Sequence, residues 1–142
     1  MFGLTKIKNK ANWHRALDFK HRIHFRFSAY QLGKCIVMFA VLVFIALFVK
    51  DQFVRPIGGD VLVVIWLYYL LSSVIDMPSK QLTFTVLGIA YLVELGQFLN
   101  VNAFLGIEPS SSLHLILGAT FDWIDLVAYT VGAIICYWVE RE

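Results

Sequence analysis

The chain has 142 residues, of which 59% are hydrophobic and 15% are charged. Soluble domains usually contain about a quarter of charged residues, so this composition excludes an ordinary soluble domain and predicts an integral membrane protein. Cys35 and Cys136 both lie in apolar sequence, which favours free thiols packed as small hydrophobic groups. The sequence contains no phosphate-binding loop, serine nucleophile motif or paired-cysteine metal motif, so these signatures assign no catalytic residue.

Residues 1–30 are predicted to be a basic cytoplasmic extension with an amphipathic pattern. Lysine and arginine are concentrated before the first apolar segment, which predicts a cytoplasmic N-terminus. Binding to anionic lipid headgroups is one interpretation of the extension, and binding to a protein partner is the other. Nucleic acid is not expected, because the topology already accounts for these charges. The residues predicted to bind lipid or a partner are Trp13, Arg15, Lys20, Arg22 and Arg26.

Residues 31–142 are predicted to form a four-span membrane domain. The four apolar segments are Cys35–Phe53, Val61–Ile75, Leu82–Leu99 and Trp123–Trp138. As helices they would be about 22 to 30 Å long, against a hydrocarbon core of about 30 Å. The charged pair Lys50-Asp51 follows the first segment where a signal peptide would have a cleavage site, so this segment is expected to remain as an anchor. The pattern predicts an all-α, integral membrane four-helix bundle in the bacterial inner membrane, with both termini in the cytoplasm.

Acidic residues lie near the outward ends of three of these segments. Asp60 follows two glycines and is expected to cap the second helix, where a carboxylate can accept from free N–H groups. Asp122 is expected to cap the last helix, with Asp125 at its third position. Each of these carboxylates therefore has a structural interpretation as well as a functional one.

Glu94 is harder to explain, because it lies in the C-terminal half of its predicted helix, where a negative charge opposes the helix dipole. One interpretation is a protonated side chain that is hydrogen-bonded to a neighbouring helix as a structural contact. The other is a polar site in which Gln97 and Asp125 approach Glu94 and two carboxyl groups share a proton. The predicted intramembrane polar cluster comprises Glu94, Gln97, Asp122 and Asp125, with Asp60, His114 and Tyr91 at its periphery.

The segment between the third and fourth spans has a helical signature of its own. Pro109 and the serines after it can start a helix, residues 113–117 are apolar apart from His114, and Gly118 can end it. This pattern predicts a short interfacial helix before the last span, covering the outward cluster. A single histidine without partners at metal-ligand spacing predicts neither a metal nor a cofactor.

Several motifs occur here in a characteristic order. They are Gly59-Asp60-Val61-Leu62, Val93-Glu94-Leu95-Gly96-Gln97, Leu117-Gly118, and the stretch from Phe121 to Tyr129 followed by Gly132. Over about residues 24–140 this order resembles the domain-of-unknown-function family 2809, which implies a small bacterial multipass membrane protein without an established activity. A more distant similarity is to VanZ-like proteins, which are associated with glycopeptide resistance and carry Glu-x-x-Gln in one span and Asp at the start of the last.

Two functions follow from these features. In the first, the protein is a noncatalytic accessory subunit packed against a larger membrane assembly, and its polar cluster fixes helix contacts. In the second, a VanZ-like envelope protein binds or modifies a lipid headgroup or lipid-linked wall precursor at the outward carboxylates. The first is favoured because the sequence lacks a complete set of catalytic residues. Membrane lipid and protein subunits are the expected partners, and enzymatic activity is not predicted.

Overall fold

The computed structural model describes residues 24–112 and 121–141. The elements in these ranges are β1 (His24–Phe25), α1 (Ala29–Phe48), α2 (Val54–Val74), β2 (Ile75–Asp76), α3 (Ser79–Phe98), α4 (Val101–Phe104) and α5 (Trp123–Val139). The predicted helical fold is confirmed, and the short strand pair is an addition to it. The predictions for Trp13, Arg15, Lys20, Arg22 and His114 concern residues outside the described ranges.

The prediction that Asp60 caps the second helix is wrong. α2 begins at Val54, which places Asp60 in its second turn. Asp51 caps this helix instead, since its Oδ1 accepts from the backbone N–H groups of Phe53 at 2.8 Å and Val54 at 3.3 Å. Both donors hold the pKa of Asp51 below its ordinary value of 3.8. Pro56 is tolerated in the first turn, because N–H groups there have no acceptor within the helix.

α3 ends close to the predicted position, and a left-handed residue stops it. Asn100 has a φ of 54°, and its N–H donates to the carbonyl of Gln97 at 3.0 Å. Asparagine is one of the few residues other than glycine that adopts this conformation readily at a helix end. The single turn of α4 follows directly, and the predicted interfacial helix falls mainly in residues 113–120, outside the described ranges.

α2 is the central helix among the described elements. It packs against α1, α3 and α5, and α3 also packs against α5. Val64 on α2, Leu82 and Val86 on α3 and Cys136 on α5 are each at most 2% exposed. The backbones of α5 and α2 approach each other closely at Gly132, where an added Cβ would lie 2.6 Å from the carbonyl oxygen of Val61. Gly132 therefore allows the backbones of α5 and α2 to meet.

The start of α1 is attached to the end of α2. β1 pairs antiparallel with β2, and beyond this pair the N–H of Arg26 donates to the carbonyl of Val74 at 2.9 Å. The N–H of Ser28, which caps α1, donates to the carbonyl of Ser73 at 2.8 Å. These bonds extend the pairing of the two segments as far as Ser28, the residue before α1, and thereby attach the start of α1 to the end of α2.

α1 and α2 are long and apolar enough to cross a membrane, with mean hydropathies of 2.3 and 1.8 in their most apolar windows. Only 6% of the α1 window and 28% of the α2 window is buried. α5 is also apolar, but it has 17 residues. The apolar side chains of α1 therefore form an external surface of the described fold.

Candidate functional site

Glu94 lies at the centre of the polar residues near the C-terminal end of α3. Its side chain is fully buried, with 0% of its surface exposed. Oε1 accepts from the backbone N–H of Asp122 at 3.0 Å, and Oε2 accepts from the hydroxyl of Tyr129 at 3.4 Å. Tyr129 belongs to α5, and Asp122 is the residue before it. Each carboxyl oxygen of Glu94 therefore has a donor from the chain itself.

The Glu94 contact completes the cap of α5. Asp122 is the N-cap residue, as predicted, and its Oδ1 accepts from the N–H of Ile124 at 2.9 Å. In a capping box, the side chain at the third helical position accepts from the backbone N–H of the N-cap residue. Here Glu94 of the neighbouring helix takes that acceptor role. Asp125, at the third position of α5, is left for a different contact.

The contact made by Asp125 is with Asp60 on α2. Their two carboxyl groups lie within hydrogen-bonding range of each other, and Asp60 also lies within electrostatic range of Glu94 and Asp122. A hydrogen bond between two carboxyl groups requires a proton on one of them, since a carboxylate is only an acceptor. Asp60, Glu94, Asp122, Asp125 and Tyr129 are called the carboxylate cluster below. It joins α2, α3 and α5 at one end.

Tyr91 and Gln97 lie on α3 on either side of Glu94. Tyr91 bonds to Thr130 at 2.6 Å through its hydroxyl, so it joins α3 to α5 beside the cluster and is partly exposed. Gln97 is partly buried one turn beyond Glu94 and has an interaction of its own.

Sequence reasoning missed Tyr129 as a member of the site. Tyr129 follows Asp125 by four residues, and this spacing puts the two side chains on the same helix face. That signal was available, but an apolar helix offers many residues at the same spacing. Asn102, on α4, was also missed; its side chain is 8% exposed and has a polar or electrostatic interaction.

A second polar group at the opposite end was also missed. Lys34 on α1 donates to Oε1 of Glu140 at 2.7 Å, and the hydroxyl of Tyr69 on α2 donates to the same oxygen at 3.2 Å. The hydroxyl of Ser79, at the start of α3, donates to the backbone carbonyl of Glu140. One residue after α5 therefore contacts the other three long helices of the described fold.

The carboxylate cluster resembles a structural junction more than a reaction centre. Its fully buried member, Glu94, accepts from two protein donors, and the contact between Asp60 and Asp125 links α2 to α5. Among residues 24–112 and 121–141, no group of three or more His, Cys, Asp or Glu side chains has the arrangement of a metal site. The arrangement can hold a shared proton between Asp60 and Asp125 and fix the relative positions of three helices.

Comparison with protein families gives one match. The model of "Protein of unknown function (DUF2809)" matches residues 49–133, which is more than half of the chain. The chain belongs to the DUF2809 family. All five residues of the carboxylate cluster lie within the matched part, whereas α1 and Glu140 lie outside it. The resemblance to this family is confirmed, over a shorter stretch than residues 24–140.

No curated protein and no solved structure gives a significant match to the chain. The similarity to VanZ-like proteins therefore stays a prediction. The DUF2809 match itself carries no activity, so the function has to be argued from the contacts and charges described above.

Proposed function

We propose that this DUF2809 protein is a four-span protein of the bacterial inner membrane that acts as a noncatalytic accessory subunit of a larger membrane assembly. Its carboxylate cluster fixes α2, α3 and α5 relative to each other. The observation that carries the proposal is the complete burial of Glu94, with both of its carboxyl oxygens bonded to donors of the same chain.

The distribution of apolar side chains supports a membrane location. α1 has a mean hydropathy of 2.3 but is 6% buried over that window, whereas an apolar core helix of a soluble protein is mostly buried. On α1 the side chains of Phe44, Leu47 and Phe48 are 58 to 68% exposed. At the same time, Glu94, Ser73 and Thr83 are buried. Apolar groups outside and hydrogen-bonded polar groups inside are the arrangement that hydrocarbon requires.

The distribution of charge supports the proposed orientation. Among residues 24–112 and 121–141, the end at which α1 starts and α5 finishes carries four cations and two acids: Arg26, Lys34, Lys80 and Arg141, with Asp76 and Glu140. The other end carries two cations and six acids: Lys50 and Arg55, with Asp51, Asp60, Glu94, Glu108, Asp122 and Asp125. Positive segments are retained in the cytoplasm, so the first is the cytoplasmic end and the second the outward end.

Substitution of Glu94 tests the structural role of the cluster. In Glu94→Gln the amide oxygen can still accept from the N–H of Asp122, so the protein should insert, fold and function nearly as the wild type. In Glu94→Leu two donors lose their acceptor, at about 1 to 3 kcal/mol each, so folding should fail or weaken strongly. Glu108→Gln is the matched control, because Glu108 is exposed in the loop after α4.

One result for Glu94→Gln would refute the structural role of the cluster. A Glu94→Gln protein that inserts and unfolds like the wild type but has lost its cellular function would show that the carboxyl group itself is needed. Labelling of single cysteines placed in the loop between α1 and α2 and in the loop before α3 would establish insertion. Unfolding in mixed micelles would establish folding.

Purification tests the subunit role directly. The native protein should be extracted in a gentle detergent and its complexes analysed by native mass spectrometry. Foreign subunits in fixed stoichiometry are expected. A monomer or a homodimer at native expression level, stable on dilution and without foreign subunits, would overturn the accessory role.

The neighbouring carboxyl groups of Asp60 and Asp125 favour one alternative. Both side chains are partly exposed, unlike Glu94, and they lie at the proposed outward end. In this alternative the protein is a VanZ-like envelope protein, and the pair binds or modifies a lipid headgroup or a lipid-linked wall precursor. Asp125→Asn would then abolish the cellular phenotype without loss of insertion or of any associated subunit.

A further inference from the structure

A groove of about 390 Å³ runs between α3 and α5 on the outside of the described fold. Its walls are almost entirely apolar and include Phe84 and Leu87 from α3 and Ile134 from α5. Phe84 is 65% exposed and Ile134 is 52% exposed, so the groove is open along its length. Lys80 and Trp138 line it at the cytoplasmic end.

A polar pocket of about 570 Å³ continues this groove. Lys80 and Tyr137 line both spaces, so the two are contiguous. Arg141 and Asp76 complete the charged walls of the pocket. The guanidinium of Arg141 lies 5.8 Å from the centre of the Trp138 ring and 6.0 Å from that of Tyr137, so it is held above the mouth of the groove.

The charges of the pocket are suited to an anion. Within the described residues neither Lys80 nor Arg141 forms an ion pair, whereas Asp76 lies 4.0 Å from Arg26. The negative charge of Asp76 is thus partly offset from outside the pocket. Two cations remain at the junction between a polar space and an apolar one, with a tryptophan and a tyrosine beside them.

We propose that the groove and the pocket together bind one anionic phospholipid of the inner leaflet. One acyl chain lies in the groove between α3 and α5, and the phosphate lies in the pocket beside Lys80 and Arg141. Basic pockets at the cytoplasmic ends of membrane helices bind anionic lipid headgroups by this combination of charge and apolar contact. The site rests on the proposed membrane location and orientation, but it does not depend on the accessory role.

The dimensions of the groove agree with this occupant. The groove follows eight residues of α3, from Lys80 to Leu87, and nine residues of α5, from Thr130 to Trp138, so its end residues are seven and eight helical steps apart. These stretches are about 10 and 12 Å long at the rise of an α-helix. One leaflet contributes about 15 Å to the hydrocarbon core, so the groove covers most of the depth available to one acyl chain.

A similar groove beside α1 does not offer the same site. Lys34, Met38 and Tyr69 line it, and Lys34 is its cation. The ammonium of Lys34 is 2.7 Å from a carboxylate oxygen of Glu140, so its charge is already paired. Charge complementarity to a phosphate therefore favours the groove between α3 and α5.

Lipid retention by the purified full-length protein tests the site. The protein is incubated with equal amounts of phosphatidylglycerol and phosphatidylcholine in mixed micelles, and native mass spectrometry counts the lipid that each protein molecule retains. Phosphatidylglycerol should be retained preferentially. A cation near the membrane surface contributes about 1 kcal/mol, so loss of one should weaken binding about fivefold and loss of both about 25-fold. The Lys80→Gln/Arg141→Gln variant should show this loss, and Lys50→Gln/Arg55→Gln, at the other end, should show none.

A second pair of variants tests whether an acyl chain lies in the groove between α3 and α5. Ile134→Trp fills the groove and should reduce retention of both lipids. Ile124→Trp is the matched control, because Ile124 is on the same helix and equally exposed at 52%, but does not line the groove.

Equal retention of the two lipids by the wild type, or wild-type retention by Lys80→Gln/Arg141→Gln, would overturn the lipid site. Protein that never enters the membrane would overturn the proposed function as well, whereas inserted protein without lipid preference overturns the lipid site alone.

Discussion

Replacing Gly132 by alanine should destabilise the contact between α5 and α2. The new Cβ would lie 2.6 Å from the carbonyl oxygen of Val61 and 3.1 Å from the Cβ of Val64. Neither contact can be relieved by rotating a flexible side chain, because one atom belongs to the backbone and the other is fixed to it. The two helices would have to separate by several tenths of an ångström.

The expected size of the effect follows from two opposing contributions. Overpacking of a close contact costs about 1 to 3 kcal/mol, and the backbone contact at Gly132 places this substitution in the upper part of that range. Alanine in place of glycine within a helix contributes about 1 kcal/mol in the opposite direction. Gly132→Ala should therefore destabilise the protein by about 1 to 2 kcal/mol.

Gly88→Ala is the matched control. Gly88 lies in the middle of α3, and an added Cβ there meets nothing within 4 Å. This variant should be neutral or more stable than the wild type by up to about 1 kcal/mol, so the two alanine substitutions should differ by about 1 to 3 kcal/mol. Unfolding in mixed micelles with increasing dodecyl sulfate, followed by circular dichroism, gives this difference. Equal midpoints for Gly132→Ala and Gly88→Ala would show that the close helix contact is wrong.

Two further substitutions and one titration test contacts of the helices. Tyr129→Phe removes the 3.4 Å hydrogen bond to Glu94 and should cost about 0.6 kcal/mol in the same unfolding assay, less than Gly132→Ala; an effect above 2 kcal/mol would contradict this contact. Glu140→Gln removes the ion pair with Lys34, whose side chain is 28% exposed, and should lower the free energy of unfolding by about 1 to 2 kcal/mol. High salt should reduce this difference only in part, and an unchanged free energy of unfolding would contradict the ion pair. The pKa of Asp51 is lowered in the folded protein, so its ionised carboxylate stabilises the start of α2 above pH 3.8. This stabilisation is lost as the pH falls through the lower pKa of the folded state. The amide resonance of Phe53 should therefore shift with pH below 3.8, and a titration above 3.8 would contradict the lowered pKa.

The positions of α3 and α5 could be predicted closely from apolar composition, whereas α1 begins at Ala29 and ends at Phe48, several residues before the predicted Cys35 and Phe53. α3 ends at Phe98, one residue before the predicted end of its apolar segment. The start of α2 could not be predicted from apolarity, because its first turn contains Arg55 and Pro56. The residue that indicates the start of α2 is Asp51, which precedes Val54 by three residues and can cap the first turn. Gly58 and Gly59 suggested a later start, but both are helical.

The carboxylate cluster could be predicted only in part. A carboxylate within an apolar segment requires a partner, so Glu94 could be singled out from the sequence. The identity of its partners depends on which helices are neighbours and on their rotation, and a single sequence does not contain that information. Asp125 was expected to approach Glu94, but the structure pairs it with Asp60 and gives Glu94 the backbone of Asp122. The Glu140 contacts were missed because a charged residue after the last span usually needs no partner but water.

The partner of Glu94 also explains why a carboxylate is tolerated at this point of α3. Within its own helix Glu94 lies near the C-terminal end, where the dipole opposes a negative charge. Its Oε1, however, is bonded to the N–H that begins α5, whose N-terminal dipole end attracts a negative charge. The unfavourable interaction with one helix is therefore offset by a favourable interaction and a hydrogen bond with the next. Because Glu94 takes the acceptor role in the cap of α5, Asp125 can bond to Asp60, and one carboxylate on α3 thereby determines how α5 is joined to α2.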